Sequence, residues 1–200
     1  MNRTAFYALV RAAVGGLVAS QVAGFEAILN EAERRHTKLD SLAYILATPW
    51  HETGYTMQPI AERGGPSYCA KYDSGNLAKM LGNTAPGDGY RFRGRGYVQL
   101  TGRRNYWLAS TKIGVDLIKN PDQAMNLEIA TRVLFEGMEA GWFTGKSLNA
   151  YLDHVDEGDQ EDLREFVSAR RIINGTDKAL KIGQHALVFE AALKAAGYAA

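Results

Sequence analysis

The chain has 200 residues, of which 46% are hydrophobic and 22% charged, and its formal net charge is +1 at pH 7. This length and composition are typical of one globular domain with a sizeable core, and the near-zero charge argues against binding nucleic acid or anionic lipid through the whole surface. Cys69 is the only cysteine, which excludes an intramolecular disulfide, and no apolar run approaches the about 20 residues needed to span a bilayer.

Apolar residues recur at helical spacing in several stretches of the chain. They predict helices over Thr4–Leu17, Val22–Ala32, Asp40–Glu52, Pro121–Met138 and Asp159–Ile173, and a last helix that includes Leu180–Leu193. Gly54–Gly96 differs, because it contains nine glycines and three of the five prolines. We expect loops and short helical turns there, with a small hairpin near Arg91–Gln99.

The helix from Asp40 to Glu52 carries the first candidate catalytic group. A side-chain oxygen of Asp40 or Ser41 is expected to cap its start, and its apolar stripe extends to Glu52. A carboxyl on the buried side of a helix tends to hold its proton, whereas Glu62, in a polar loop beside Arg63, should be ionised. Two carboxyls in such different environments suit acid–base chemistry. On spacing alone, the favoured interpretations are a solvated helix end for Glu52 and an ordinary surface ion pair for Glu62 and Arg63.

The densest polar motif is Phe92–Gly102, which is rich in glycine and arginine. If this segment is extended, Tyr97, Gln99 and Thr101 face one side and offer an aromatic ring, an amide and a hydroxyl. That combination favours sugar binding. The alternative interpretation is a nucleic-acid patch, because five arginines and four aromatic residues interleave over residues 90–106. They are Arg91, Arg93, Arg95, Arg103 and Arg104 with Tyr90, Phe92, Tyr97 and Tyr106.

The remaining aromatic and ionisable residues suggest no site of their own. We expect Trp107 and Trp142 to pack in the core. The four histidines show no metal-ligand spacing, so we predict neither a metal nor a cofactor; they are His36, His51, His154 and His185.

Several motifs occur together in one order along the chain. They are His51-Glu52-Thr53, Glu62-Arg63, Tyr68-Cys69, Arg93-Gly94-Arg95-Gly96-Tyr97-Val98-Gln99-Leu100-Thr101 and Arg171-Ile172-Ile173-Asn174-Gly175. In this combination the chain resembles glycoside hydrolase family 19, which contains plant class I and II chitinases and many bacteriophage endolysins. The short loop between the two glutamates and the Gln99–Arg103 segment are more similar to the phage and bacterial branch.

The resemblance implies roles for individual residues. Glu52 corresponds to the general acid, Glu62 to the general base, and Thr101 to a residue that helps to hold the attacking water. The remaining residues implied in substrate binding or in bracing the cleft are His51, Arg63, Tyr97, Gln99, Asn105, Asn174 and Lys181.

The resemblance also implies a fold, which is mainly α and belongs to the lysozyme-like α+β superfamily. We expect a bilobal helical domain in which the glycine-rich loop region and its hairpin form one wall of the substrate cleft. Residues 1–200 would be a single catalytic domain, with a helical core at 1–53 and 103–200 and a loop-rich cleft wall at 54–102.

The predicted function is that of an endolysin, which hydrolyses β-1,4 glycosidic bonds of bacterial peptidoglycan by an inverting mechanism, with Glu52 and Glu62 flanking one bond. The alternatives are a chitinase acting on N-acetylglucosamine polymers and a polysaccharide-binding module without catalysis. We expect a monomer with a polysaccharide substrate and no nucleic-acid partner or stable membrane insertion. The small apolar segment Ala12–Ala19 is preceded by Arg11, which interrupts what should be the apolar core of a signal peptide. We therefore predict no signal peptide, synthesis in the host cytoplasm and action on the cell wall after release.

Overall fold

The computed structural model describes residues 1–155 and 158–199. The chain divides into two compact units, one formed by Met1–Met57 with Phe135–Ala200 and the other by Gln58–Leu134. We call them the helical unit and the loop-rich unit. This division groups residues 103–134 with the glycine-rich segment, and the prediction of one catalytic domain over 1–200 stays a prediction.

Helices account for most of the described residues, which confirms the mainly α prediction. The α-helices are α1 (Arg3–Val14), α2 (Ala19–Arg35), α3 (Leu39–Glu52), α4 (Pro66–Cys69), α5 (Gly75–Leu81), α6 (Asp88–Arg91), α7 (Arg103–Ile113), α8 (Leu127–Glu139), α9 (Asp159–Ala169) and α10 (Ala179–Ala195). Short 3₁₀ segments occupy Ala70–Tyr72, Pro121–Met125, Leu148–Ala150 and Arg170–Ile172. Two short strands are β1 (Ile60–Ala61) and β2 (Arg95–Gly96).

The centre of the helical unit is α3. Every residue from Ser41 to Trp50 is buried, so the helix is enclosed on all sides rather than along one stripe. Helix α10 packs against α3, α9 and α1. The helix begins at Leu39, so Asp40 and Ser41 lie in its first turn, and Lys38 occupies the N-cap position without a side-chain hydrogen bond. Oδ1 of Asp40 does accept a hydrogen bond from a backbone N–H at the helix start, that of Ser41 at 2.6 Å, and it also contacts Nδ1 of His154 at 2.8 Å.

An aromatic cluster anchors the end of α3 that carries the candidate acid. The ring of Trp50 lies 5.8 Å from that of Phe25 and 6.2 Å from that of Phe189. Just after the helix, Gln21 of α2 donates its amide N–H to the carbonyl of Tyr55 at 2.8 Å. These contacts fix the chain immediately before and after Glu52.

The loop-rich unit is organised by a small antiparallel sheet. Strand β1 pairs with β2, with Ile60 opposite Gly96 and Ala61 opposite Arg95. Arg95 also forms an antiparallel bridge with Leu100, and the two residues exchange backbone hydrogen bonds of 2.8 and 3.2 Å. The bridge provides the small hairpin expected in this region, and short helices α4, α5 and α6 fill the remaining glycine-rich stretch.

Some predicted helix boundaries differ from the observed ones. Helix α1 ends at Val14 because Gly15 leaves the helical conformation at φ 90°. Pro121 opens a 3₁₀ segment rather than an α-helix, and α8 starts only at Leu127. Throughout 1–155 and 158–199, the helices are too short or too polar to cross a membrane.

Candidate active site

In the helical unit, the candidate acid Glu52 lies beside a buried arginine. The side chain of Glu52 is 22% exposed, and its Oε1 lies 2.6 Å from Nη1 of Arg170, whose side chain is only 2% exposed. The two atoms form a close ion pair without hydrogen-bond geometry. Nε of Arg170 donates to the carbonyl of Asp177 at 2.8 Å, which fixes the guanidinium from its other side. Glu52 is thus largely buried, as its position on the apolar stripe predicts, and a cation that the stripe did not predict lies beside its carboxyl group.

Two histidines and a lysine surround this ion pair. Burial lowers the pKa of His51, and the charges of Arg170 and Lys181 act in the same direction against the opposing effect of Glu52. His185, which the sequence did not single out, has its pKa lowered by burial and by His51 and Lys181. Both imidazoles therefore favour the neutral form, and Nδ1 of His51 and Nε2 of His185 are buried without hydrogen-bond partners.

The other residues implied in the helical unit lie near its surface. Lys181 is exposed on α10, and its Nζ lies 5.4 Å from the ring centroid of Tyr55. Asn174 is exposed in the turn after Arg170, and its backbone N–H donates to the Arg170 carbonyl at 3.1 Å. Both side chains are thus accessible to a ligand, as their implied roles require.

In the loop-rich unit, the candidate base Glu62 is held through both carboxylate oxygens. The hydroxyl of Tyr72 donates to Oε1 at 2.8 Å, and the backbone N–H of Gly94 donates to Oε2 at 3.1 Å. The backbone N–H of Glu62 in turn donates to the Gly94 carbonyl at 2.8 Å. Within the described chain, Arg63 is exposed and forms no ion pair with Glu62, so the expectation that Arg63 stabilises this carboxylate is not met. Neutral donors orient Glu62 instead.

The segment that follows Gly94 is a turn rather than an extended strand. Residues 97–99 form the turn of the hairpin, and Gln99 adopts a left-handed conformation with φ 53°. The predicted alternation therefore fails. Tyr97 is fully buried and hydrogen-bonded to Thr131, so the prediction that its ring faces a sugar is wrong.

Gln99 and Thr101 nevertheless converge on the backbone that binds Glu62. Nε2 of Gln99 donates to the carbonyl of Ile60 at 3.0 Å, and Oγ1 of Thr101 donates to the carbonyl of Gln99 at 2.7 Å. A Cβ placed on Gly94 would lie 2.7 Å from Oε1 of Gln99 and 3.2 Å from Oγ1 of Thr101. Glu62, Gly94, Gln99 and Thr101 therefore form one compact polar cluster, and a glycine is needed at its centre.

Asn105 braces this cluster from the first turn of α7. Its Nδ2 donates to the carbonyl of Thr101 at 2.8 Å. The bond fixes the backbone that carries the Thr101 hydroxyl, which agrees with the bracing role implied by the resemblance.

Sequence reasoning did not assign three of the groups that contact the two carboxylates. Arg170 could have been found, because a cation on the core-facing side of α9 and its 3₁₀ extension requires a buried anion. Tyr72 and Gly94 carried no such signal, because their contacts depend on how the loops close. Among the described residues, we find no group of three or more His, Cys, Asp or Glu side chains placed to hold a metal ion.

A sequence profile of the chitinase class I family, glycoside hydrolase family 19, matches residues 5–162. The fold and the match define a glycoside hydrolase with a lysozyme-like fold. The chain belongs to glycoside hydrolase family 19. Arg170, Asn174 and Lys181 lie beyond the matched range, so the match does not bear on their roles.

Solved structures of similar fold are also chitinases. The chain superposes on chitinase C from Streptomyces griseus HUT6037 with a TM-score of 0.61 and 16% sequence identity, covering 99% of this chain and 77% of that one. A mutant of chitinase C gives a TM-score of 0.62 with the same identity and coverage. At this identity the likeness supports the fold alone.

Proposed function

We propose that this enzyme hydrolyses the β-1,4 bonds of bacterial peptidoglycan by an inverting mechanism, with Glu52 as general acid and Glu62 as general base. The observation that carries the proposal is the environment of Glu62. Its two oxygens accept hydrogen bonds from the neutral donors Tyr72 and Gly94, and no described cation forms an ion pair with it. These two donors hold both oxygens of the carboxylate in place, and a general base must be positioned in this way to take a proton from water.

The chemistry assigns one proton transfer to each carboxyl group. The acid gives its proton to the glycosidic oxygen as the bond from that oxygen to the anomeric carbon breaks. A water molecule attacks the opposite face of the same carbon and loses a proton to the base. The Thr101 hydroxyl belongs to the Glu62 cluster, where it is suited to orient that water. One water is consumed, and the anomeric configuration is inverted.

Peptidoglycan is favoured over chitin because of Arg63. This side chain directly follows the base, is exposed, and forms no ion pair with any residue in 1–155 or 158–199. The carboxylates of the peptide stems that peptidoglycan carries on N-acetylmuramic acid would complement it, whereas chitin carries no anion. With this substrate the protein would serve as an endolysin, a monomeric enzyme made in the host cytoplasm that reaches the wall after release.

The alternative substrate is chitin, which the names of the structurally similar proteins favour. The test compares the release of reducing sugars from purified bacterial sacculi and from colloidal chitin. We expect release from sacculi only. Release from chitin alone would overturn the peptidoglycan assignment while leaving the glycoside hydrolase intact.

Two variants test the catalytic roles. Glu52→Gln and Glu62→Gln should each reduce turnover by several orders of magnitude with little change in thermal unfolding, because the amide keeps the shape but cannot transfer the proton. Glu128→Gln, which changes an exposed carboxylate on α8, is the matched control. The anomer first formed, followed by NMR, should be the α form. A β anomer would contradict the inverting mechanism.

A further inference from the structure

Trp107 is an exposed tryptophan on α7, contrary to the expectation that it packs in the core. Its surface is 58% exposed. It lines a shallow groove of about 360 Å³ together with Gly82, Arg103, Arg104 and Ile118. A large aromatic ring left in water at the edge of a groove is typical of a binding surface.

The walls of this groove are fixed by contacts within the loop-rich unit. Arg103 donates to both carboxylate oxygens of the buried Asp88, at 2.6 and 2.8 Å. Arg91 donates to the carbonyl of Ile118 at 2.9 Å. The groove is therefore largely formed before any ligand arrives, which reduces the entropy lost on binding.

The end of α5 closes the groove through a glycine. Gly82 adopts a left-handed conformation at φ 68°, and a Cβ there would lie 2.6 Å from Cβ of Arg104. The close approach leaves the guanidinium of Arg104 at the surface. Among the described residues, Arg104 has no ion-pair partner, so its charge is available to a ligand.

Arg104 and Trp107 present one surface. Residues three apart on an α-helix are neighbours on the same face, so the cation lies next to the indole. Asn105, which braces the Glu62 cluster, is two residues from Trp107 and thus about 200° away around the helix axis. The groove consequently lies on the other side of α7 from the catalytic cluster of this unit.

We propose that the groove around Trp107 and Arg104 is an accessory site for an N-acetylmuramic acid residue of the glycan strand to which no stem peptide is attached, so that its lactyl carboxylate is free. The indole stacks on the apolar face of the sugar ring, and the guanidinium pairs with the lactyl carboxylate. The choice of this sugar rests on the proposed function; the presence of the site does not. The site would hold the insoluble strand while the catalytic residues act elsewhere on it.

The arrangement favours a glycan over a nucleic acid. Single strands are bound through a row of cations with several stacked bases, whereas this groove offers one unpaired cation and one exposed indole. The net charge of +1 adds no attraction for polyanions. The carboxylate and the ring of a single sugar match the two available groups.

The test measures binding, not turnover, and uses Glu52→Gln protein so that the ligand survives. A peptide-free muramic-acid-containing oligosaccharide is titrated against it and followed by the NMR signal of the Trp107 indole N–H. Chitohexaose and a single-stranded DNA oligonucleotide are titrated in parallel. We expect the muramic-acid oligosaccharide to shift this signal and to bind most tightly. Tighter binding of chitohexaose would overturn the role of the carboxylate. Tighter binding of DNA would overturn the proposal that the ligand of this groove is a glycan.

Variants then test the two side chains. In the Glu52→Gln background, Trp107→Ala and Arg104→Gln should each weaken binding to glycan strands freed of their peptides about tenfold. Met80→Ala is the matched control, because Met80 is 62% exposed in the same unit but does not line the groove. Unchanged binding by Trp107→Ala would overturn the site. A different result would refute the proposed function, namely that the unmodified enzyme releases no sugar from sacculi.

Discussion

Nη1 of Arg170 lies 2.6 Å from Oε1 of Glu52. The same buried guanidinium donates from Nε to the carbonyl of Asp177. The arginine thereby connects the candidate acid to the turn that precedes α10. It orients the carboxyl group without taking part in proton transfer. Arg170 is therefore a positioning residue.

The first prediction concerns this ion pair. Arg170→Lys should reduce kcat about 100-fold, because an ammonium cannot hold both Glu52 and the Asp177 carbonyl, and small misplacements of a catalytic group cost about that much. KM should change little. Arg171→Lys, at the exposed neighbour, is the control. Equal kinetics for the two variants would refute a positioning role.

The second prediction concerns the donor to Glu62. Tyr72→Phe removes the hydroxyl that donates to Oε1 and should reduce kcat at least about tenfold, since hydrogen bonds to charged groups contribute about 1.5–3 kcal/mol. Tyr68→Phe, a change at a half-exposed tyrosine on α4, should leave kcat unaltered. Steady-state kinetics on soluble wall fragments measures kcat for both variants. A normal kcat for Tyr72→Phe would contradict the prediction, because it would show that the Gly94 N–H alone is enough to orient Glu62.

A third prediction follows from the burial of Tyr97. Tyr97→Phe should leave KM unchanged, because the ring is fully buried and has no surface for a sugar. It should lower the free energy of unfolding by about 1 kcal/mol through loss of the hydrogen bond with Thr131. Chemical denaturation and kinetics are the two measurements. A several-fold rise in KM would restore the sugar-binding role inferred from the sequence.

The fourth prediction is a pH dependence of stability. The pKa of His185 is lowered, chiefly by burial, from its ordinary value of 6.5, so below that value the unfolded chain binds a proton that the folded protein does not. The stabilisation is complete above pH 6.5 and is lost as the pH falls through the lower, folded-state pKa. His185→Gln should flatten this part of a plot of melting temperature against pH. His36→Asn, at an exposed position, should leave the slope as it is, and an unchanged slope in His185→Gln would contradict the assignment.

The sequence was sufficient to locate the long helices of the helical unit. Apolar periodicity located the helices because burial imposes a 3.6-residue repeat on them. The periodicity described α3 poorly, because a helix that is buried on every side has no single apolar face. For that reason the sequence did not show that Arg170 lies beside the carboxyl group of Glu52.

The loop-rich unit was harder to predict, because contacts far apart in the chain determine it. Tyr97 faces inward because the backbone turns at residues 97–99 instead of extending, and the left-handed conformation of Gln99 is rare for a residue with a side chain. Trp107 was assigned to the core on its hydrophobicity alone. Its exposure depends on α5 and the Ile118 loop, which approach it only after folding.

The complete enclosure of residues 41–50 has a practical consequence for engineering. A library that varies them to obtain a new polysaccharide specificity would return mostly unfolded chains, because changes of volume in a close-packed interior are poorly tolerated. The exposed positions Arg63, Gly65 and Ser67 offer fewer obstacles, whereas Gly64 between them must be kept, because a Cβ there would lie 2.5 Å from Cδ1 of Tyr68. Substitutions at those positions would change the exposed surface of the loop-rich unit without altering the packing of α3.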